Sequence, residues 1–153
     1  MKSLKIGDQA PDFTAVTYDG QTISLADYRG KSSVVLFFYP KDGTSICTKE
    51  ACAFRDSYER FVEIGAVVIG VSGDSDQSHD QFARQHNLSF PLISDSDGTL
   101  RRLFAVPRTL GILPGRVTYV IDRNGIVQLV FNSQFDSEGH VERALQVLRG
   151  DAK

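Results

Sequence analysis

The chain alternates short apolar runs with longer segments of mixed polarity. Residues 34–39 (VVLFFY) are apolar throughout, and residues 66–71 (AVVIGV) form a second such run. Uninterrupted apolar runs of this length are typical of strands that are buried on both faces of a parallel sheet. A shorter run at residues 90–93 contains Pro91, which favours a sheet edge or a strand end because proline lacks the amide hydrogen.

Two turn signals predict β-hairpins, because Asx-Gly pairs readily adopt the positive φ angles of tight turns. The first contains Asp19-Gly20, and the second is the sequence DRNG at residues 122–125. The first hairpin joins residues 13–17 to 21–25, and the second joins residues 117–121 to 126–131.

Helical spacing of apolar residues predicts the remaining elements. One long helix is expected from residue 44 or 45 to residue 63, and Gly65 ends it. Asp76 is expected to cap a helix that runs through about residue 86. Residues 99–104 are a short helix, and an amphipathic helix around residues 141–148 is the last element.

The order of these elements predicts the fold class. After the N-terminal hairpin the chain runs β-α-β-α-β and then β-β-α, with a loop at residues 106–115. Helices must then cover both faces of a central mixed sheet, which is a three-layer α/β architecture. A length of 153 residues matches one domain, so residues 1–153 are expected to form a single domain.

Composition narrows the function classes. The chain is 41% hydrophobic and 24% charged, with a net charge of −2, which gives no electrostatic argument for nucleic acid or a membrane surface as partner. No apolar run approaches the roughly 20 residues that span a bilayer, and residues 1–8 lack a signal-peptide core. A content of only two cysteines in 153 residues is typical of proteins in a reducing compartment. The predicted location is therefore the cytoplasm.

The two cysteines, Cys47 and Cys52, follow the strand at residues 34–39 and lie at the predicted helix start. The positive end of the helix dipole and the free backbone N–H groups there favour the thiolate, which is the reactive form. Cys47 is the candidate nucleophile, expected at the mouth of the polar turn formed by residues 41–44. The hydroxyl of Thr44 could hydrogen-bond both the thiolate and an incoming oxygen.

The spacing of the cysteines sets a geometric condition. Positions i and i+5 of a helix lie about 8.5 Å apart between Cα atoms, whereas a disulfide needs about 4.4–6.8 Å. Cys47 and Cys52 can therefore bond only if the first helical turns unwind, which would make Cys52 a resolving thiol. The alternative is that Cys52 only packs inward and that the protein uses one cysteine.

The motif Pro40-x-x-x-Thr44-x-x-Cys47 matches the active-site motif of the peroxiredoxins. Residues 38–56 resemble the Q-type (bacterioferritin-comigratory-protein) branch, whose resolving cysteine follows the peroxidatic cysteine by five residues. The resemblance extends through residues 10–13, 68–72 and 113–122. It covers nearly the whole chain, and the sequence is most similar to those of cyanobacterial and plant plastid members.

The resemblance implies a role for each motif residue. Cys47 would attack a hydroperoxide and become a sulfenic acid. Thr44 would orient the peroxide, and Pro40 would shield the site from water. Arg116 matches the family's invariant arginine, whose charge would stabilise the thiolate and the leaving oxygen. Cys52 would condense with the sulfenic acid to form an intramolecular disulfide.

The resemblance also implies a thioredoxin-like fold with an N-terminal hairpin extension. Thioredoxin or a relative would reduce the disulfide, and no metal, haem or flavin would be needed. Because the branch is often monomeric, a monomer is expected. The predicted function is that of a thioredoxin-dependent peroxidase acting on hydrogen peroxide and organic hydroperoxides.

One departure from the family pattern is visible. Most relatives read Thr-Pro-Gly-Cys where this chain has Ser45 and Ile46 between Thr44 and Cys47. Ser45 restores an N–H and could cap the helix. Ile46 is stiff and β-branched, and our hypothesis is that it narrows the entrance and alters selectivity between small and bulky hydroperoxides.

Other interpretations stay open at this point. Cys47 could be a small buried hydrophobe, Arg116 a surface charge, Thr44 a helix cap and Pro40 a turn residue. Glu50, Arg55 and Asp56 could orient site residues but more often form a solvated helix face.

Alternative functions are a peroxide sensor that passes its disulfide to a partner, and a redox-controlled holdase chaperone. The absence of Cys-x-x-Cys spacing disfavours a disulfide reductase.

Overall fold

The computed structural model describes residues 4–109 and 113–150. The strands are β1 (Thr14–Val16), β2 (Thr22–Ser24), β3 (Ser33–Phe38), β4 (Ala66–Ser72), β5 (Leu92–Ser94), β6 (Arg108–Thr109), β7 (Leu113–Pro114), β8 (Val117–Ile121) and β9 (Val127–Asn132). The helices are α1 (Ser45–Asp56), α2 (Tyr58–Ile64), α3 (Asp76–His86), α4 (Thr99–Leu103) and α5 (Ser137–Leu148), with a 3-10 helix at Leu25–Tyr28. Within these residues no helix combines the length and the apolar character needed to cross a membrane.

A five-stranded mixed sheet in the order β5-β4-β3-β8-β9 forms the centre of the fold. β3 is parallel to β4 and antiparallel to β8, whereas β5 is an edge strand that pairs in parallel with β4. β1 and β2 form the predicted N-terminal hairpin. The α/β fold class and the edge position of the proline-preceded strand are therefore confirmed.

β3 separates two apolar clusters, one on each face of the sheet. Val35 and Phe37 pack with residues of α1, α2, α3 and α5, whereas Leu36 and Phe38 pack with the N-terminal hairpin, the 3-10 helix and α4. Because successive side chains of a strand point to opposite faces, a strand covered on both sides must be apolar at every position. This explains the continuous apolar run from which the strand was predicted.

The long helix predicted from residue 44 or 45 to residue 63 is in fact two helices. Ser57, with φ −100° and ψ 4°, leaves the helical conformation between α1 and α2, and Gly65 at φ 84° ends α2 as predicted. The apolar periodicity did not reveal the break because Phe54 and Phe61, on either side of it, are both buried with ring centroids 5.7 Å apart.

Two smaller predictions also needed correction. The cap of α3 is Ser75, whose hydroxyl accepts from the Ser78 N–H, and Asp76 is the first helical residue. The segment predicted as a loop at residues 106–115 contains the short antiparallel strands β6 and β7. Residues 110–112 of that segment lie outside the described residues.

The pairing of β3 with β8 brings distant parts of the chain together. Phe38, at the carboxyl end of β3, is in register with Val117, the first residue of β8. The segment after β3 leads into α1, so the start of α1 and the residue before β8 meet at one end of the sheet. This places Cys47 and Arg116, which are 69 positions apart, at the same edge.

We expect Gly115→Ala to destabilise the protein, because a Cβ at this position would overlap the backbone carbonyl oxygen of Pro107. Overpacking against backbone costs about 1–3 kcal/mol. Urea unfolding of the reduced protein, followed by circular dichroism, measures the free energy of unfolding. The matched control is Gly73→Ala, whose Cβ would lie 3.7 Å from the nearest atom, the carbonyl oxygen of Asp95. Equal stability of the two variants would contradict the prediction.

Candidate active site

A cavity of about 280 Å³ lies at this end of the sheet. It is lined by the segment after β3, the first turn of α1, the residue before β8 and the segment after β9. The lining residues are Pro40, Thr44, Ser45, Ile46, Cys47, Arg116 and Gln134. Four of the five residues predicted for the site, Pro40, Thr44, Cys47 and Arg116, therefore meet around one cavity, whereas Cys52 is not among its lining residues.

Cys47 lies at the base of this cavity and is only 1% exposed. The expectation that this thiol lies at the mouth of a loop was therefore wrong: α1 packs against the sheet and carries Cys47 into the core. Its Sγ accepts a hydrogen bond from Nη2 of Arg116 at 3.1 Å. A fixed positive charge at hydrogen-bond distance favours the thiolate over the thiol.

The guanidinium of Arg116 is held by three acceptors. Besides the contact with Cys47, Nε donates to the backbone carbonyl of Gln134 at 2.8 Å and Nη1 donates to Glu50 Oε1 at 2.6 Å. Arg116 is 2% exposed, so it is not a surface charge. Because a buried charge is costly unless it is paired and hydrogen-bonded, these contacts both neutralise and orient the guanidinium.

Glu50 is completely buried one helical turn after Cys47. Burial raises the pKa of the Glu50 carboxyl to about 7, although the neighbouring Arg116 acts to lower it. Its second oxygen, Oε2, has no hydrogen-bond partner and lies 3.6 Å from Nδ1 of His140. Within this site, Glu50 is thus the carboxyl whose protonation changes near neutral pH.

His140, on α5, stays neutral beside this carboxyl. Its Nε2 donates to the carbonyl of Ser133 at 2.7 Å, and its Nδ1 lies 2.7 Å from the hydroxyl of Thr118. Because Nε2 carries the proton, the neutral ring accepts from Thr118 at Nδ1. Burial lowers the pKa of His140 to about 4. The positive charge of this buried group therefore lies on Arg116 and not on His140.

The hydroxyl of Thr44 donates to the carbonyl of Lys41 at 2.8 Å rather than to Cys47. Thr44 also lines the cavity. Thr44 is also the residue that precedes α1, yet its side chain makes no capping hydrogen bond, and Ser45, which was expected as a possible cap, is the first helical residue. Ile46 is half-buried and forms part of the cavity wall.

A buried polar network anchors the segment between β3 and α1. Asp42 accepts hydrogen bonds from the hydroxyls of Tyr39 and Ser78, and its Oδ2 lies 2.7 Å from Nδ1 of His79. The Asp42 N–H donates to Asp74 at 2.8 Å. The segment that bears Pro40 and Thr44 is therefore tied to α3 and to the carboxyl end of β4.

Cys52 lies on the second half of α1, is half-buried, and both cysteines are free thiols. Its Sγ is 3.8 Å from Nδ1 of His86, the last residue of α3. Arg55 and Asp56 form an ion pair with each other at 3.0 Å, and Asp56 is exposed. The interpretation as a solvated helix face agrees with the position of Asp56. Arg55 is half-buried and also donates to the His86 carbonyl on α3, and Glu50 belongs to the site.

Sequence reasoning missed two contributors to the site. Gln134 acts through its backbone carbonyl, so its side-chain type gives no signal. His140 gave no signal because only the packing of α5 against α1 brings it to Glu50. Glu50 was considered as a residue that could orient site residues, and its position one turn after Cys47, on the same helix face, is the signal for that role.

The chain is similar in sequence to known proteins. The family model described as AhpC/TSA matches residues 6–130. The chloroplastic peroxiredoxin Q of Sedum lineare is 50% identical over 144 residues, which cover 94% of this chain and 77% of that protein.

Two solved structures are also similar. Peroxidoxin BcpB from Mycobacterium tuberculosis has a TM-score of 0.87 and 38% identity, covering 96% of this chain and 97% of the other. The Xylella fastidiosa PrxQ mutant has a TM-score of 0.89 and 30% identity, with both chains covered completely.

These relatives contradict the predicted cytoplasmic location. Curated proteins that are about 50% identical in sequence to this chain are named as chloroplastic, among them those of Sedum lineare, Populus jackii and Arabidopsis thaliana. The prediction failed because a low cysteine count indicates a reducing environment without saying which compartment provides it.

The raised pKa of Glu50 makes stability depend on pH with a definite sign. The folded protein keeps a proton on this carboxyl between pH 4.5 and about 7, where the unfolded chain has lost it. Stability is therefore lost as the pH rises through this window. We expect the free energy of unfolding of Glu50→Gln, relative to the original protein, to increase from pH 5 to pH 7 by roughly 1–3 kcal/mol. Urea unfolding in reducing buffer measures it.

The control variant, His140→Gln, should show the opposite dependence of stability on pH. The pKa of His140 is lowered from 6.5 to about 4, so its contribution to stability is lost as the pH falls through that range. The stability of His140→Gln relative to the original protein should therefore decrease as the pH rises from 4.5 to 6.5. A pH-independent difference for Glu50→Gln would show that this carboxyl does not keep its proton in the fold.

Proposed function

The chain belongs to the AhpC/TSA family and is a thiol peroxidase of the peroxiredoxin Q type, and we propose that it reduces hydroperoxides through Cys47, Cys52 and a thioredoxin-type reductant. The observation that carries this proposal is the contact of 3.1 Å between Arg116 Nη2 and Cys47 Sγ at the base of the cavity. This contact supports the proposal because a cation at hydrogen-bond distance can stabilise both a thiolate and the oxygen that leaves.

In the first step the Cys47 thiolate attacks the terminal oxygen of the hydroperoxide. The new S–O bond gives a sulfenic acid, and the O–O bond breaks to release an alkoxide or hydroxide, which takes a proton from solvent. Arg116, held in place by Glu50 and the Gln134 carbonyl, stabilises the thiolate and the negative charge that develops on the leaving oxygen. Glu50 acts here as a positioning residue.

Thr44 and Pro40 complete the peroxide site. Because the Thr44 proton is donated to the Lys41 carbonyl, the Thr44 oxygen can accept a hydrogen bond from the O–H of the bound hydroperoxide. Pro40 lines the same cavity and reduces the access of water to Cys47. The two residues therefore orient the substrate and exclude solvent.

In the second step Cys52 attacks the sulfur of the sulfenic acid to form the Cys47–Cys52 disulfide. Both cysteines lie on α1, about 8.5 Å apart between Cα atoms if the helix is regular, so its first turns must unwind. The absence of a side-chain cap at Thr44 supports this step, since an uncapped helix start lacks about 1 kcal/mol of stabilisation.

A dithiol reductant of the thioredoxin type then reduces the disulfide by thiol exchange. The cycle as proposed needs only the thiols of one chain and of that reductant, so a monomer suffices and no metal, haem or flavin takes part.

The decisive experiment is mass spectrometry of the reduced protein after one equivalent of hydrogen peroxide, followed by alkylation of free thiols. We expect a loss of two hydrogens with no thiol left to alkylate, because both cysteines enter one disulfide. The matched control is Cys52→Ser, in which Cys47 should stop at the sulfenic acid. A sulfenic acid on Cys47 with Cys52 free in the original protein would indicate an external resolving partner, and no reaction at all would remove the peroxidase cycle.

Ile46 offers a test of substrate selectivity, because it is part of the cavity wall beside Cys47. We expect Ile46→Gly to raise the kcat/KM for cumene hydroperoxide relative to that for hydrogen peroxide by about 10-fold, since the bulky substrate gains the space of the removed side chain. Ile46→Ala separates this effect from the added helix flexibility of glycine. Unchanged ratios in both variants would exclude Ile46 as a determinant of selectivity.

A further inference from the structure

The Cys52 thiol lies beside a histidine that has no part in the proposed peroxidase cycle. Its Sγ lies 3.8 Å from Nδ1 of His86, within the distance of a sulfur–nitrogen hydrogen bond. The two residues come from different helices, because Cys52 is on α1 and His86 is the last residue of α3.

The position of His86 is fixed by further contacts. Its backbone carbonyl accepts a hydrogen bond from Arg55 Nη1 at 2.7 Å, and its ring packs edge-on against Phe82 with centroids 5.1 Å apart. Because Arg55 is three residues after Cys52 on the same helix face, the two contacts hold the thiol and the imidazole together. The contact between Cys52 and His86 is therefore supported by further contacts between α1 and α3.

The chemistry of the pair suits proton transfer from sulfur to nitrogen. A thiol is a donor, and Nδ1 of a neutral imidazole can accept its proton when Nε2 carries the ring hydrogen. Nε2 of His86 has no hydrogen-bond partner among residues 4–109 and 113–150, and the residue is only half-buried. A proton taken up at Nδ1 can therefore be balanced by release to solvent from Nε2.

The second half of α1 is the part that stays in place when the first turns unwind. Phe54 is fully buried and stacks on Phe37 with ring centroids 4.4 Å apart, and Arg55 ties the same turn to α3. The first turn lacks a side-chain cap. In the proposed cycle Cys47 would then be the thiol that moves, and Cys52 would keep its contact with His86.

We propose that His86 is the catalytic base of the resolving thiol, an inference that rests on the proposed Cys47–Cys52 disulfide. His86 Nδ1 takes the proton from Cys52, and the resulting thiolate attacks the sulfur of the Cys47 sulfenic acid. The S–S bond forms as the S–O bond breaks, and the departing hydroxide takes a proton from solvent to become water. During reduction by a dithiol, His86 returns the Nδ1 proton to the Cys52 thiolate as it leaves, and Nε2 takes up a proton from solvent.

The charged groups near this pair on the two helices are few. From α1, Arg55 faces the His86 carbonyl and is itself paired with Asp56 at 3.0 Å. On α3, Arg84 is paired with Asp80 at 3.0 Å on an exposed surface. Among the described residues, His86 is the one whose side chain lies within hydrogen-bond distance of Cys52 Sγ.

The experiment is quenched-flow oxidation with hydrogen peroxide, followed by alkylation and mass spectrometry, which measures sulfenic acid and disulfide separately. His86→Asn keeps an acceptor oxygen beside Cys52 but cannot take up a proton near neutral pH. The matched control is Gln85→Asn, an exposed change at the adjacent position of α3. Both are compared with the original protein from pH 6 to pH 9.5.

We expect disulfide formation in His86→Asn to be slower by at least about 10-fold at pH 6.5, since general base catalysis contributes on the order of 10²–10⁴-fold. The difference should shrink toward pH 9.5, where a free thiol with a pKa of about 8.5 ionises unaided. The rate of Cys47 oxidation should not change. In His86→Ala, added imidazole should restore part of the lost rate.

Two outcomes would overturn the inference, and a third is distinct from both. An unchanged rate of disulfide formation in His86→Asn would exclude a base function. A reduction by the same factor at every pH, without rescue by imidazole, would mean that His86 only supports the structure of α1. Failure of the original protein to form the Cys47–Cys52 disulfide would overturn the proposed cycle itself, and the base function with it.

Discussion

The buried positive charge of Arg116 is the constraint on which the rest of the site depends. A guanidinium that is 2% exposed needs a compensating partner, and it finds Cys47 Sγ, a Glu50 oxygen and the Gln134 carbonyl. Each acceptor fixes one direction of the planar group, so the charge is oriented as well as neutralised. The Cys47 sulfur is thus one of the acceptors that satisfy this buried charge.

The same arrangement distinguishes the two halves of α1. Cys47 is held by Arg116 at the start of the helix, where no side chain caps the backbone. Further along, Phe54 stacks on the central strand and Arg55 binds α3. In the proposed cycle, a local opening of the first turns would move Cys47 and leave the Phe54 and Arg55 contacts in place. Moving Cys47 away from Arg116 also leaves Glu50 as the partner of that charge.

Most elements were predictable because each has a local cause. The run at residues 34–39 indicated β3 since a strand covered on both faces must be apolar, and Gly65 ended α2 by its positive φ angle. The break at Ser57 was not predictable, because the apolar face continues across it. The depth of Cys47 was also missed, since burial depends on how closely α1 packs on the sheet and not on the turn that precedes it.

The sequence by itself determined the identity and spacing of the candidate site residues: Pro40, Thr44 and Cys47 in one motif, and Cys52 five residues later. These residues are close along the chain, so their separations follow from backbone geometry alone. Only the tertiary structure decided what surrounds them. The pairing of β3 with β8 brings Arg116 to Cys47, the packing of α5 brings His140 to Glu50, and the contact of α1 with α3 brings His86 to Cys52. Such contacts join residues tens of positions apart, and short-range patterns carry no information about them.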